Sequence, residues 1–292
     1  LIIERKIAML RVCAAQPVRR NHRRRHMTSP DAVEKHYSGH GLAKRIFAAL
    51  AAEGHDTGRL TPGILAPYDE FHVGGLAATE RFSGRLSLDP ALRLLDVGCG
   101  AGGPARAVAA STGCAVTGID LTAGFITAGA ELNKRCGLEQ LVTLHHGSAL
   151  DMPFEDGAFD RAMMLHVGMN IADKAGLLAE VARVLVPGGI FGIYDMMQVV
   201  EGTVSFPMPW ASTADVSAVA TPQDYLAAAD AAGFTLVAQH DETAAAEGFF
   251  KHVLTTKPPT EPGKAPDPFR NLAAHIKAGI LAPTELILAK DG

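Results

Sequence analysis

Residues 92–103 read Leu-Arg-Leu-Leu-Asp-Val-Gly-Cys-Gly-Ala-Gly-Gly, a short apolar segment that ends in an acid and runs into four glycines. Glycines directly after a strand let the backbone turn sharply and bring a ligand against the N–H groups that begin the next helix. Gly98, Gly100 and Gly103 also satisfy the dinucleotide pattern G-x-G-x-x-G, so the glycines alone leave two classes of ligand open.

Two acids near this turn bear on the choice of ligand. A pyrophosphate brings two negative charges to the turn, and Asp96 at the end of the strand would repel them. S-adenosylmethionine (SAM) carries no phosphate and presents an ammonium and a sulfonium, which a nearby acid favours. Asp120 ends the second strand, where it could accept hydrogen bonds from the ribose hydroxyls of either cofactor. Asp96 therefore favours SAM over NAD, and Asp120 does not discriminate.

The sequence after Pro90 alternates between short apolar strands and amphipathic helices. Strands are predicted at 92–97, 114–119, 141–145, 159–165, 190–194, 234–240 and 285–289. Such alternation predicts an α/β fold with a parallel sheet and helices on both faces. Before Pro90 the helical spacing of Leu42, Ile46 and Leu50 predicts a helical segment that Thr61-Pro62-Gly63 interrupts.

Three regions follow from this reading. Residues 1–26 hold eight basic residues against one acid, and we interpret them as a dispensable leader, disordered or a non-native start; a targeting role is the alternative. Residues 27–90 form a helical N-terminal cap. Residues 91–292 form the main domain, with inserts at about 196–220 and 241–280. The cap and the inserts together predict a lid over the carboxyl edge of the sheet.

Charge and composition exclude several classes of function. Acids outnumber bases by eleven beyond residue 26, which argues against nucleic-acid binding. Apolar runs fall short of the roughly 20 residues that a membrane span needs. The four cysteines show no CxxC spacing, which predicts neither a zinc site nor a disulfide framework and favours a reducing, cytoplasmic setting. His145 and His146 alternate in direction on a strand, so we expect no metal site. A homodimer is left open.

Further motifs make the glycine turn more specific. Residues 94–103 resemble motif I of the class I SAM-dependent methyltransferases, and Gly118-Ile-Asp120 resembles the acidic motif that follows it. Four more matches follow in the same order: His146-Gly-Ser-Ala149, Asp151-Met-Pro-Phe154, Phe159-Asp160 and Arg183-Val-Leu-Val-Pro-Gly-Gly189. With Asp69-Glu-Phe-His-Val-Gly-Gly75 and Met169-Asn-Ile171, the chain is similar to the branch containing sarcosine/dimethylglycine, sterol and quinone-precursor methyltransferases.

The resemblance implies a Rossmann-like, seven-stranded, mostly parallel sheet whose last strand is antiparallel. SAM would lie over the carboxyl ends of the first strands and leave as S-adenosylhomocysteine. Asp96 would lie near its methionine end, Asp120 would bind its ribose, and Leu121 would pack beside its adenine. At Ser148 the chain departs from many relatives, which carry an aspartate there. The predicted cofactor-binding residues are Asp96, Gly98, Gly100, Gly102, Asp120, Leu121, Ser148, Ala149 and His166.

Two histidines are candidates for the chemistry at the methyl group. Methyl transfer from a sulfonium is an in-line displacement, which needs alignment and exclusion of water more than a strong base. His166 ends the fourth strand at the ligand-binding edge, where it could contact SAM, accept a proton or only cap the strand. His72 in the cap could close the pocket, or lie in a surface loop.

The predicted substrate pocket contains His72 and four further residues. Trp210 lies between prolines and could form an apolar wall or fix a loop to the core. Asn170 could orient the acceptor or cap the following helix. Tyr37 and Tyr68 could line the pocket or belong to the core of the cap.

The sequence therefore predicts a SAM-dependent methyltransferase that acts on an N, O or C atom of a small molecule. One alternative is an NAD-dependent oxidoreductase, which Asp96 and the lack of a Tyr-x-x-x-Lys motif oppose. Another is a non-catalytic SAM-binding protein, because a fold can survive the loss of activity. The sequence does not identify the acceptor.

Overall fold

The computed structural model describes residues 41–255 and 267–292, so the leader 1–26 and Tyr37 lie outside the described residues. Seven strands are β1 (Arg93–Val97), β2 (Ala115–Asp120), β3 (Val142–His146), β4 (Phe159–Leu165), β5 (Leu185–Gln198), β6 (Phe234–Asp241) and β7 (Leu281–Lys290). Nine helices in these ranges are α1 (Leu42–Ala52), α2 (Pro62–Asp69), α3 (Gly75–Ser83), α4 (Gly103–Thr112), α5 (Ala123–Cys136), α6 (Lys174–Val184), α7 (Pro222–Ala231), α8 (Thr243–Thr255) and α9 (Pro268–Lys277).

The strands form one sheet in the order β3-β2-β1-β4-β5-β7-β6. β1 to β5 pair in parallel, whereas β7 runs antiparallel to both of its neighbours. The predicted fold is confirmed: a seven-stranded, mostly parallel sheet with an antiparallel last strand. Because parallel strands end at one edge, the carboxyl ends of β1, β2 and β4 lie next to one another.

Two strands are longer than the sequence predicts. β5 begins at Leu185, which pairs with Phe159 of β4, and it runs to Gln198, beyond the predicted 190–194, because its pairing with β7 continues from Ile190↔Ala289 to Gln198↔Leu281. β7 extends to both sides of the predicted 285–289, because Leu281 pairs with Gln198 of β5 and Lys290 pairs with Phe234 of β6. β5 thus includes the first residues of the insert that the sequence predicts at about 196–220, and the bounds of that insert stay a prediction.

The helices before the sheet follow the predicted apolar spacing. Leu42, Ile46 and Leu50 of α1 are fully buried and pack with α2 and α5 residues in one cluster. The Thr61-Pro62-Gly63 stretch begins α2, where an interruption was expected: Thr61 Oγ1 accepts from the Ile64 N–H at 3.3 Å and Pro62 occupies the first turn. The division into three regions stays a prediction.

Two apolar layers cover the sheet. One contains Phe82, Val108 and Leu94, from α3, α4 and β1. The other contains Val181, Tyr225 and Ile193, from α6, α7 and β5. A third cluster joins the two inserts to the sheet through Trp210, Phe250, Leu272 and Met196. Across the described ranges, no helix is both long enough and apolar enough to cross a membrane.

Candidate active site

A cavity of about 360 Å³ opens at the carboxyl edge of the sheet. Its walls come from the glycine turn, from the segments that follow β2, β3 and β4, from the loop between α2 and α3, and from both inserts. Ten of the predicted site residues line it: His72, Gly98, Gly100, Asp120, Leu121, Ser148, Ala149, His166, Asn170 and Trp210.

The glycine turn satisfies most of its own amides. The Gly98 and Cys99 N–H groups both donate to the Ile119 carbonyl, at 2.8 and 3.0 Å, and the Gly102 N–H donates to the Cys99 carbonyl at 2.8 Å. Gly98 needs to be glycine because its φ is +73° and a Cβ there would collide with Val167. Few N–H groups of the turn are therefore free to donate to a ligand in the cavity.

The last residue of α2, Asp69, covers the start of α4. A Cβ at Gly103 would collide with the Asp69 carbonyl, so the cap backbone lies directly on the first turn of α4. Beneath it the fully buried Arg106 donates to Asp69 Oδ2 at 2.6 Å and to Asn133 Oδ1 at 2.7 Å. A helix start is an anion site only when its N–H groups are accessible, and here the acidic end of α2 covers it.

Asp96 lies under the turn and does not line the cavity. The side chain is buried and its Oδ2 has no hydrogen-bond partner. Burial raises the pKa of the Asp96 carboxyl well above its usual value, and the nearby charges of Glu70 and Asp120 raise it further. These three acids make this side of the cavity electrostatically suited to a cation.

Asp120 holds the turn in place from the end of β2. Its Oδ2 accepts from the Gly100 N–H at 2.9 Å and its Oδ1 accepts from the Thr122 N–H at 2.8 Å. Burial raises the pKa of Asp120, and the bonds from Thr122 and Gly100 oppose that shift. Carboxylate oxygens each have two lone pairs, so both oxygens can accept a further bond from a ligand in the cavity.

The segment beyond Asp120 is apolar and is fixed by a histidine. His146 Nε2 lies 2.9 Å from the Leu121 carbonyl, whereas the His145 ring packs against Phe154 on the other side of β3. Ser148 Oγ accepts from the Leu150 N–H at 3.1 Å, which leaves its hydroxyl hydrogen available to a ligand. Over the described part of the chain, no group of three or more His, Cys, Asp or Glu side chains could hold a metal ion.

His166 lies at the end of β4 with a strained backbone. Its φ is +55°, a conformation that non-glycine residues rarely adopt, and its N–H donates to the Tyr194 carbonyl at 2.7 Å. The ring packs edge-on against Tyr194 with centroids 4.8 Å apart, and the buried Nε2 has no hydrogen-bond partner. Burial lowers the pKa of His166 well below its usual value, and His72 lowers it further. The ring is therefore neutral at pH 7.

His72 is buried, which excludes the surface-loop interpretation. Its Nε2 lies 2.8 Å from Glu70 Oε2 and 3.0 Å from Thr79 Oγ1, and its Nδ1 lies 3.2 Å from the Val73 carbonyl. Thr79 also donates to Glu70 Oε2 at 2.8 Å. Both ring nitrogens of His72 thus have protein partners, unlike Nε2 of His166.

Besides Asp96, two predicted site residues, Tyr68 and Gly102, do not line the cavity, whereas Asn170 does. Tyr68 is buried in the cap core and its hydroxyl donates to Glu53 Oε1 at 2.7 Å, so it does not line the cavity. Gly102 faces Leu144 and Arg106 instead of the cavity. Asn170 lines the cavity and does not cap α6, because Asp173 accepts from the Gly176 N–H there.

Several cavity residues were not predicted. Asp69, Glu70 and Phe71 lie next to His72 in the segment 69–75. The two acids in that segment could have indicated that it contributes to a cation-binding cavity. Phe249, Phe269 and Leu272 come from α8 and α9. Apolar positions on amphipathic helices usually pack in a core, so nothing local marks these three as cavity residues.

A buried acid behind the cavity wall gives a pH prediction. Burial raises the pKa of Asp195 to about 6, although the bond from Tyr225 and the charge of Lys174 oppose the shift. The folded state therefore binds this proton more tightly than the unfolded state, and the stabilisation present at low pH is lost as pH rises through about 6. Relative to Asp195→Asn, we expect the wild type to lose about 2 kcal/mol of unfolding free energy between about pH 4.5 and about pH 7. Urea unfolding at both pH values measures this difference, and equal pH dependence in the two proteins would contradict it.

The part of the chain that forms the glycine turn and the strands around it is similar in sequence to known proteins. Residues 95–193 match the family model described as a methyltransferase domain. A sterol 24-C-methyltransferase of Gibberella zeae is 32% identical over 131 residues, which are 44% of this chain and 34% of that protein. A 24-methylenesterol C-methyltransferase of Oryza sativa subsp. japonica is 38% identical over 116 residues, or 40% of this chain and 32% of that protein. The chain thus spans about a third of the length of these relatives.

Solved structures share the fold over most of the chain. A geranyl diphosphate C-methyltransferase from Streptomyces coelicolor, in complex with Mg²⁺, geranyl diphosphate and S-adenosyl-L-homocysteine, has a TM-score of 0.65 and 17% identity to this chain. The likeness covers 98% of this chain and 97% of that one. At this identity it shows the fold alone.

Proposed function

We propose that this chain, which belongs to the class I SAM-dependent methyltransferases and carries their domain at residues 95–193, transfers the methyl group of SAM to an N, O or C atom of an apolar small molecule. The observation that carries the proposal is the start of α4. The Asp69 carbonyl and carboxylate lie against Gly103 at the helix start, where a dinucleotide would put its pyrophosphate, and the amides of Gly98, Cys99, Gly100 and Gly102 already have protein acceptors.

The acids around the turn fit SAM. Asp96 Oδ2 is buried without a partner, and Glu70 and Asp120 add negative charge beside it. Asp120 would hold the ribose hydroxyls, and Leu121 and Ala149 would flank the adenine, with Ser148 offering its hydroxyl hydrogen. When bound, SAM supplies an electrophilic methyl group on a sulfonium. NAD would instead bring two phosphates toward three acids, which disfavours the oxidoreductase alternative.

His166 is the side chain best placed to accept a proton from the acceptor. Its Nε2 is buried without a protein partner and the lowered pKa keeps the ring neutral, so one of the two ring nitrogens keeps a lone pair that can accept a proton. His72 is engaged at both nitrogens and shapes the cavity wall through Glu70 and Thr79. The strained φ of His166 supports a functional role, because such strain concentrates at active sites.

The far side of the cavity supports an acceptor that is apolar and carries no phosphate. Trp210, Phe249, Phe269, Leu272 and Met169 line it. Within the described residues, no lysine or arginine lines the cavity, so a phosphate would have no cationic partner there. Sterols, which the matched relatives are named for, have this chemistry, whereas geranyl diphosphate would need a separate counter-charge.

Calorimetry with SAM and with NAD tests the cofactor assignment. We expect SAM to bind and NAD not to bind. Asp120→Ala is expected to weaken SAM binding about 10- to 100-fold, because a charge-assisted hydrogen bond contributes about 1.5–3 kcal/mol. Asp160→Ala is the control, since Asp160 pairs with Arg93 at the opposite end of the sheet. An unchanged dissociation constant in Asp120→Ala would count against the ribose contact.

Mass spectrometry of products tests whether the chain is catalytic. The protein is incubated with SAM and with separate sterols, phenols, amines and prenyl alcohols. A product heavier by one methylene unit supports transfer, whereas SAM binding without any product would favour the non-catalytic alternative. The cytoplasmic setting and a homodimer stay predictions from the sequence.

A further inference from the structure

A buried lysine lies behind the wall of the cavity. Lys174, the first residue of α6, is 8% exposed, and its ammonium donates to three main-chain carbonyls. The acceptors are the carbonyls of Gly168 at 2.9 Å, Ile171 at 2.5 Å and Ala218 at 2.8 Å. An ammonium has three N–H donors, so all three are used on backbone oxygens.

These three carbonyls belong to two separate segments. Gly168 and Ile171 follow β4, whereas Ala218 lies in the insert between β5 and α7. The Ala218 N–H also donates to the Met169 carbonyl at 2.7 Å, so the two segments are joined beside the ammonium as well as through it. Both segments supply the acceptor side of the cavity: Met169 and Ile171 directly, and the insert through Trp210.

Trp210 is hydrogen-bonded to the residue that precedes Ala218. Its Nε1 donates to Ser217 Oγ at 3.0 Å, and Ser217 is the neighbour of Ala218 in the chain. Trp210 is 4% exposed and packs in the apolar cluster formed by both inserts. A displacement of Ala218 would therefore move its neighbour Ser217, and the hydrogen bond from Trp210 to Ser217 would pass that movement on to Trp210.

Asp195 and Tyr225 pack against Gly168 and Lys174, where the two segments are joined. The Tyr225 hydroxyl donates to Asp195 Oδ2 at 2.6 Å, and Lys174 Nζ lies 5.2 Å from the centre of the Tyr225 ring. Gly168 rests on this pair, since a Cβ there would collide with the Tyr225 hydroxyl and approach the Asp195 carboxylate. The cluster makes none of its hydrogen bonds to the glycine turn or to residues 120–122 and 147–150, which form the cofactor side.

We propose that Lys174 is a positioning residue that fixes the acceptor side of the cavity by joining the segment after β4 to the insert that carries Trp210. The assignment of that side to the acceptor rests on the proposed function. Burying an ammonium costs several kcal/mol, which an apolar side chain of similar length would avoid. The ammonium adds hydrogen bonds to three carbonyls from two segments. These bonds hold the two segments together and so keep the cavity wall in one conformation.

The fluorescence of Trp210 tests the proposal, because the chain contains one tryptophan. Lys174→Met is expected to increase acrylamide quenching of Trp210 at least about twofold, since the insert loses an anchor and opens locally. Lys174→Gln, which can still donate to one or two carbonyls, should give an intermediate increase and keeps the test usable if the methionine variant folds poorly. SAM affinity by calorimetry should stay unchanged in both variants.

Arg183→Met is the matched control. Arg183 also donates to main-chain carbonyls, Phe154 at 2.7 Å and Met152 at 3.0 Å, but both acceptors lie in the segment between β3 and β4, outside the insert. Trp210 quenching that is unchanged in both Lys174 variants, or that rises equally in Arg183→Met, would overturn the proposal. The quenching comparison needs no ligand. If the wild type failed to bind SAM, the proposed function would be contradicted, while the quenching result would still decide whether Lys174 holds the insert.

Discussion

Replacing Arg106 by methionine is expected to lower the free energy of unfolding by about 3–5 kcal/mol, the usual effect of removing one partner from a buried ion pair. Arg106 is fully buried, and it donates to Asp69 in the cap and to Asn133 in α5. In the variant the Asp69 carboxylate loses its guanidinium and Asn133 Oδ1 loses its donor, while both stay away from water. Urea unfolding followed by circular dichroism measures the loss.

Arg93→Met provides the comparison for this prediction. Arg93 pairs with Asp160 through Nε at 3.0 Å, but its side chain is 51% exposed. Exposed pairs contribute about 0–1 kcal/mol, so this variant should be nearly as stable as the wild type. If Arg106→Met lost no more than Arg93→Met, the ion pair would not be what holds the cap to α4.

Replacing His166 by glutamine is expected to reduce the rate of methyl transfer about a hundred- to ten-thousandfold, the range for loss of a general base. The acceptor is the one identified in the product panel, and the rate is measured in single turnovers with labelled SAM. SAM affinity should change little, because the glutamine side chain has similar size. His240→Gln on β6, away from the cavity, should leave the rate unchanged. A large loss of SAM affinity with an unchanged transfer rate would make His166 a binding residue instead.

The pH dependence of the wild type checks the same assignment. Burial keeps the pKa of His166 well below that of an exposed histidine. The base is therefore lost only as pH falls well below about 6.5, and the rate should stay level through that value. A rate that halves near the usual pKa of histidine would mean that His166 is hydrated during turnover.

The fold was largely predictable because its signals are local. Strand and helix alternation appears in the periodicity of each segment, and the glycine turn needs its residue types at those positions whatever surrounds them. The lengths of β5 and β7 were not predictable, because their ends depend on pairing between residues such as Gln198 and Leu281. Nothing near either residue in the sequence marks that contact.

The candidate site was predictable only in part, for the same physical reason. Gly98 and Gly100 belong to one turn, Asp120 ends the adjacent strand β2, and the structure brings all three to the cavity. Arg106 and Lys174 were missed because a charged residue on a helix is usually solvated, and burial becomes evident only with the partners present. Their acceptors, such as Asp69 and Ala218, lie 37 and 44 residues away in the sequence.

The position of β7 has a consequence for synthesis of the chain on the ribosome. β5 and β6 both have β7 as a neighbour, yet β7 follows them in the sequence. Until residues 281–290 have left the exit tunnel, the nascent chain holds β5 with a bare edge and β6 with no strand to join. Bare strand edges invite pairing with other chains, so this is the interval in which a chaperone would have most to protect.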